Sequence, residues 1–291
     1  MYRVHSILPF LFVLLTGITV QATAAPSVLV TVPALHSLVS GLMDGIAEPE
    51  LLMDNPDHST DLMLSGSQLR MLANTDMIVW SGPGLEKGLY DAVENKAPAA
   101  RHKLVTLSAM VPLLANGQNG GSDPANYRND ARNLEFWADP RLSIIAIRTL
   151  TPRLVRLDPD NTERYLDNEI SLIKRLRELE KEMANAAAFL AVDLADMSSD
   201  SNPYFLHRMQ LPVIAATNTQ YMDLIATDDC RNSPFKKVAA GLDKITPGAQ
   251  PESSVSYGPD FYFDMMQAAI ENLLKSNCDA TIQVSELAPA G

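Results

Sequence analysis

The sequence predicts an α/β protein with two α/β lobes joined by one long rigid helix. Three observations predict it. Short apolar runs alternate with helical patterns through the first third of the chain. A helical pattern of roughly 30 residues follows mid-chain, and the alternation resumes in the last third. Strand–helix–strand repeated in this way means a parallel sheet with helices on its faces. A helix of roughly 30 residues at 1.5 Å each is about 45 Å long, which exceeds a typical small domain and suits a backbone shared by two lobes.

The first element is a leader. Arg3 supplies a short positive start, Ile7 to Val20 is apolar apart from Pro9, Thr16, Gly17 and Thr19, and Ala22-Thr23-Ala24 is a small-x-small cleavage signal. That combination reads as a secretory signal peptide over residues 1–24, cut after Ala24 or Ala25 and too short for a permanent anchor. No cysteine follows the site to carry a lipid. The chain is therefore expected to be exported from the cytoplasm.

Val28 to Val32 then reads as a strand, Leu35 to Met43 as a helix, and Glu50 to Met53 as a strand. Ser65 caps a helix running to about Leu72, with Leu64, Leu69 and Leu72 on its apolar side. Met77 to Trp80 is a strand closed by Gly82-Pro83-Gly84, Leu85 to Val93 is helical, and Lys103 to Leu107 is a strand. Asn116 to Asn133 is rich in Asn, Gly, Asp and Ser and reads as a mobile loop. One helix runs from about Leu142 to Arg156. Another runs from near Pro159 to about Ala188, with Leu166, Ile170, Ile173, Leu176, Leu179 and Met183 at steps of three and four. Leu211 to Ala215 is a strand, Pro234 to Leu242 a helix, Lys244 to Thr246 a short strand, and Tyr257 to Ser276 the last helix. The expected division is residues 25–157 for the first lobe, 158–197 for the linking helix and 198–291 for the second lobe.

The formal net charge is −12, and loss of Arg3 with the leader makes it more negative. An acidic chain argues against nucleic acid, whose binding needs clustered Lys and Arg. No later apolar run reaches the roughly 18 residues of a membrane span. The two cysteines, Cys230 and Cys278, read as a disulfide in an oxidising compartment. It closes a loop of about 49 residues, worth roughly 3–4 kcal/mol in the chain-entropy model. The rival reading is a catalytic cysteine, although no histidine sits near either in sequence. No G-x-S-x-G, H-E-x-x-H or glycine-rich phosphate loop is present, so the chain is not expected to be an enzyme.

Several stretches resemble the periplasmic solute-binding proteins of zinc and manganese ABC importers, the group that includes high-affinity zinc uptake proteins. These are Leu35-His36-Ser37-Leu38-Val39, Glu48-Pro49-Glu50-Leu51-Leu52, Leu72 to Trp80 with Gly82-Pro83-Gly84-Leu85-Glu86, Trp137-Ala138-Asp139-Pro140, and Tyr257-Gly258-Pro259-Asp260-Phe261-Tyr262. The resemblance implies two lobes on one long helix, a metal ion held between them, and an ABC permease as partner to a monomeric binding protein. Zinc-type members also carry a disulfide where Cys230 and Cys278 fall.

The resemblance further implies three histidines and one carboxylate, a donor set that suits Zn²⁺ and, with more oxygen, Mn²⁺. The natural candidate for the first is His58, in Asp57-His58-Ser59-Thr60, one or two residues out of register. Glu135 stands at the second position. For the third, ungapped counting gives Ser199, whereas matching the strand-like Pro203-Tyr204-Phe205-Leu206-His207 gives His207. Thr246 replaces the usual acid at the fourth. His36 falls where many members carry a histidine that is not a ligand, and His102 precedes a strand and is expected to be exposed. Two functions follow. One is metal delivery through an altered site built from His58, Glu135 and His207. The other is a metal-blind relative acting as an accessory or protein-binding module.

Overall fold

Within each strand the apolar residues alternate between two hydrophobic cores, and this sorts the helices onto two faces. In the computed structural model, which describes residues 24–52, 64–114, 133–189, 202–209 and 257–287, the strands are β1 (Val28–Val30), β2 (Glu50–Leu51), β3 (Met77–Trp80) and β4 (Leu104–Thr106). They form one parallel sheet of order β2-β1-β3-β4, with Val28 opposite Met77 and Val79 opposite Val105. Val28, Val30, Met77 and Val79 point into the larger core. Leu29, Ile78 and Trp80 point into the smaller one. Period-two alternation on a sheet covered on both sides produces this split.

The smaller core is roofed by α2 (Gly66–Asn74) and α3 (Lys87–Asn95) through Leu72, Leu89 and Val93. Ser65 caps α2 with a full capping box: Gln68 N–H donates to Ser65 Oγ at 3.3 Å, and Ser65 N–H donates to Gln68 Oε1 at 2.9 Å. The larger core takes α1 (Pro33–Leu42), α4 (Pro140–Leu157), α5 (Thr162–Phe189), α6 (Pro203–Met209) and α7 (Phe261–Leu287). The 28 residues of α5 extend about 42 Å. Its neighbours in space are α1, α4, α6 and α7.

Three expectations change. The long helix buries Tyr165, Leu172, Leu176, Leu179 and Met183, whereas Leu166 is 46% and Ile170 68% exposed. The inner face at its start therefore lies one position away from the predicted stripe. The last helix begins at Phe261, after a turn over Gly258-Pro259-Asp260, and runs on to Leu287. Pro203 to His207, strand-like in sequence, belongs to helix α6. Asn202 Oδ1 accepts from the backbone N–H of Tyr204 at 2.9 Å and of Phe205 at 3.4 Å, a side-chain N-cap followed by proline in the first turn. The expected strands at 211–215 and 244–246, the helix at 234–242 and most of the 116–133 loop lie outside the described residues. The loop's ends are tied: Asn133 N–H donates to the Leu114 carbonyl at 3.1 Å. Tyr204 OH accepts from Leu114 N–H at 2.8 Å and donates to the Asn133 carbonyl at 2.7 Å.

Candidate functional site

In this strand order the winding reverses between β1 and β3, and open α/β sheets place ligands outside the carboxyl ends of their strands at such a point. The residues leaving β1 and β3 meet there around one buried carboxyl. Glu86 is 3% exposed. Its Oε1 accepts from Thr31 Oγ1 at 2.6 Å and from Ser81 N–H at 2.9 Å, and its Oε2 accepts from Gly82 N–H at 2.7 Å. Burial lifts this carboxyl to about 7, with the three donors pulling the other way. Gly82 is needed for close approach, since a Cβ there would lie 2.4 Å from Ser108 Oγ.

Ser81 carries the network outward. Its Oγ donates to the Leu134 carbonyl at 2.6 Å, immediately before Glu135. Glu135 N–H donates to Asn133 Oδ1 at 2.8 Å, and its carboxylate accepts from the Asn202 amide at 3.2 Å. Partial withdrawal from water raises its carboxyl above the usual range, and the Asn202 bond opposes the rise. Among the described residues its side-chain partner is a neutral amide, so a cation brought beside it would gain a charge-assisted contact.

Behind this carboxylate the signature segments hold one another. Asp139 caps α4 through Arg141 N–H at 2.9 Å and takes both arms of Arg208 at 2.8 and 2.5 Å. Their side chains are 4% and 12% exposed, a buried bidentate pair. The Trp137 carbonyl accepts from Tyr262 OH at 2.7 Å and from Ser143 OH at 3.2 Å, and Tyr262 N–H donates to Ser37 Oγ at 2.9 Å. His36 lies between the carbonyls of Tyr257, 2.9 Å from Nδ1, and Pro49, 2.8 Å from Nε2. It joins α1 to the entries of β2 and α7, the structural role expected of it.

Of the predicted site residues, Glu135 lies at the carboxyl edge of the sheet. His207 is exposed in the last turn of α6, beside Arg208. His58, Ser199, Thr246 and Cys230 lie outside the described residues, as does the side chain of Cys278 on α7. His102 is exposed in the 3-10 turn Pro98–Lys103 at the amino end of β4, away from the site. Among the described residues no three His, Cys, Asp or Glu side chains gather in a metal-binding group. Sequence reasoning does not reach Asn202 and Arg208. The Asn-Pro pair at 202–203, an N-cap followed by the first helical residue, is the signal that marks α6.

The model of the ZnuA family, described as zinc-uptake complex component A, periplasmic, matches residues 28–230. The chain belongs to this family. Among curated relatives, the high-affinity zinc uptake system protein ZnuA of Yersinia pestis is 23% identical over 161 residues, covering 48% of this chain and 49% of that protein. The protein of the same name from Brucella abortus (strain 2308) is 22% identical over 191 residues, covering 54% and 57%. The chain thus spans about half the length of the curated relatives it matches. Solved structures share the fold. The periplasmic zinc-binding protein TroA of Treponema pallidum superposes with a TM-score of 0.56 at 16% identity, over 87% of this chain and 99% of that one. The solute-binding protein FpvC of Pseudomonas aeruginosa in complex with Mn²⁺ gives 0.59 at 18%, over 88% and 99%. The fold class is therefore the α/β fold of the metal solute-binding proteins. No helix among the described residues of this ZnuA-family chain is long and apolar enough to cross a membrane.

Proposed function

We propose that this ZnuA-family chain is the periplasmic ion-binding component of an ABC import system for zinc, with manganese as the other candidate ion. It acts as a monomer that delivers its ion to a permease and catalyses no reaction. The family match over residues 28–230 carries the reading. The proposal also includes division into lobes at 25–157 and 198–291 about the 158–197 helix, a cleaved leader over residues 1–24, and a Cys230–Cys278 disulfide. The ion's donors in this proposal are His58, Glu135 and His207. Glu135 has the most support: it falls where the resemblance puts the second ligand, and it is half-buried with a neutral partner. Imidazole must be neutral to ligate, so binding weakens as pH falls below about 6.5.

Zinc titration of the untagged mature protein by calorimetry tests this. About one zinc per chain is expected, weakened at least about tenfold by His58→Ala and Glu135→Ala and unchanged by His102→Ala. The second reading, a metal-blind accessory or protein-binding module, draws on Thr246 in place of the acidic ligand and on the exposed helical position of His207. Absence of zinc binding by the parent favours it.

A further inference from the structure

Glu135 is the N-cap residue of the 3-10 turn Phe136–Ala138, and its half-buried carboxylate points away from that turn's backbone toward contacts from other elements. Its N–H donates to Asn133 Oδ1 at 2.8 Å and its carbonyl accepts from Ala138 N–H at 3.3 Å, and two further contacts reach it from outside this segment. Asn202, at the N-cap of α6, holds the carboxylate itself. The other comes from the sheet, where Ser81 Oγ donates to the Leu134 carbonyl at 2.6 Å. Ser81 is fully buried and Leu134 is only 6% exposed, so this bond is shielded from competing water.

Ser81 is itself fixed on three sides. Its N–H donates to Glu86 Oε1, its carbonyl accepts from Ser108 N–H at 2.9 Å, and the next residue's N–H donates to Glu86 Oε2. Glu86 in turn takes the hydroxyl of Thr31 from the end of β1. We propose that Glu86 and Ser81 form a positioning relay for the bound ion. The buried Glu86 carboxyl fastens the turn after β3 to β1, and the Ser81 hydroxyl carries that registration to Leu134 and so sets where Glu135 presents its carboxylate. Neither Glu86 nor Ser81 touches the ion; both act through Glu135.

This proposal rests on the ion-binding reading above, and its test separates the two. Ser81→Ala removes the link to Leu134 without adding bulk, and it keeps both backbone bonds to Glu86. Zinc affinity of the full mature chain is measured for the parent, Ser81→Ala, Glu135→Ala and the double variant, each well below its melting temperature. Ser81→Ala is expected to weaken zinc about five- to tenfold, the scale of one shielded hydrogen bond, and to have no further effect once Glu135 is alanine. That non-additivity is a readout a purely structural role does not move. Equal weakening in both backgrounds, or none in the parent, overturns the relay. Hydrogen exchange of the metal-free protein is the second measurement. The amides of 134–138 are expected to exchange about tenfold faster in Ser81→Ala; unchanged protection overturns the relay whatever the zinc result. A parent that binds no zinc, or a Glu135→Ala variant that binds it as tightly, overturns the ion reading and with it the role given to Ser81.

Discussion

Glu86→Gln replaces the buried carboxyl at the switch point with its neutral counterpart, and the consequence is a change in how stability depends on pH. The carboxyl is lifted from its ordinary 4.5 to about 7 by burial. Below pH 4.5 the folded and unfolded chains both keep the proton, and the residue has no pH-dependent effect. Between about 4.5 and 7 the unfolded chain releases a proton that the folded chain retains, so stability falls as pH rises. Above 7 the whole cost is present. The shift corresponds to about 3 kcal/mol, of which about 2–3 kcal/mol falls between pH 5 and pH 8. In the Glu86→Gln variant the remaining side-chain oxygen can still accept from Thr31 and Ser81, but the new amide nitrogen faces the N–H of Gly82, a fixed cost of about 1–3 kcal/mol that does not vary with pH. Urea melts of the metal-free protein at pH 5, 6, 7 and 8 read the difference. The parent should lose about 2–3 kcal/mol more than Glu86→Gln across that range. Parallel curves for the two proteins would refute the reasoning, because they would mean that Glu86 ionises alike in the folded and unfolded chains.

Arg208→Ala should cost about 3–5 kcal/mol in urea melts, since it strands the buried Asp139 carboxylate. Arg208→Met combined with Asp139→Asn, neutral at both ends and still able to cap α4, should cost less than Arg208→Met alone. Ser65→Ala breaks the capping box of α2 and should lower stability by about 1 kcal/mol without altering zinc binding. For the exported protein, mass spectrometry after alkylation without reduction should find Cys230 and Cys278 blocked as a disulfide; two alkylated thiols would remove that pairing.

Much of the parallel sheet and its helices is legible because the signals are local. Met77 to Trp80 is a four-residue apolar run between an acidic turn and Gly82-Pro83-Gly84, and it is β3 residue for residue. Ser65 with Gln68 three residues on is an N-terminal helix signature that needs no tertiary partner. Pro203 to His207 looks like a strand because Tyr204, Phe205 and Leu206 form a short apolar, aromatic run, which periodicity alone cannot assign to strand or helix. The Asn202–Pro203 cap is the stronger signal there. Leu166 and Ile170 show a related limit. Spacing identifies a stripe, but the faces of a long helix are set by what packs against it, and Tyr165, bonded to Asp158 at 3.1 Å, takes the inward position.

The α/β class, the strands of the parallel sheet, the long central helix and the motifs that mark the family can all be read along the chain. Each rests on neighbours within a turn or a strand, where propensity, capping and alternation act. What those motifs do emerges only in three dimensions. Trp137-Ala138-Asp139-Pro140 proves to be the segment where Tyr262, Ser143 and Arg208 converge. His36 joins residues 13 and 221 positions away, and Glu86 binds the end of β1 to the turn after β3. Such roles belong to pairs and triples of residues distant in sequence. Burial and a partner's direction give each polar group its energy, and both exist only once the chain has closed.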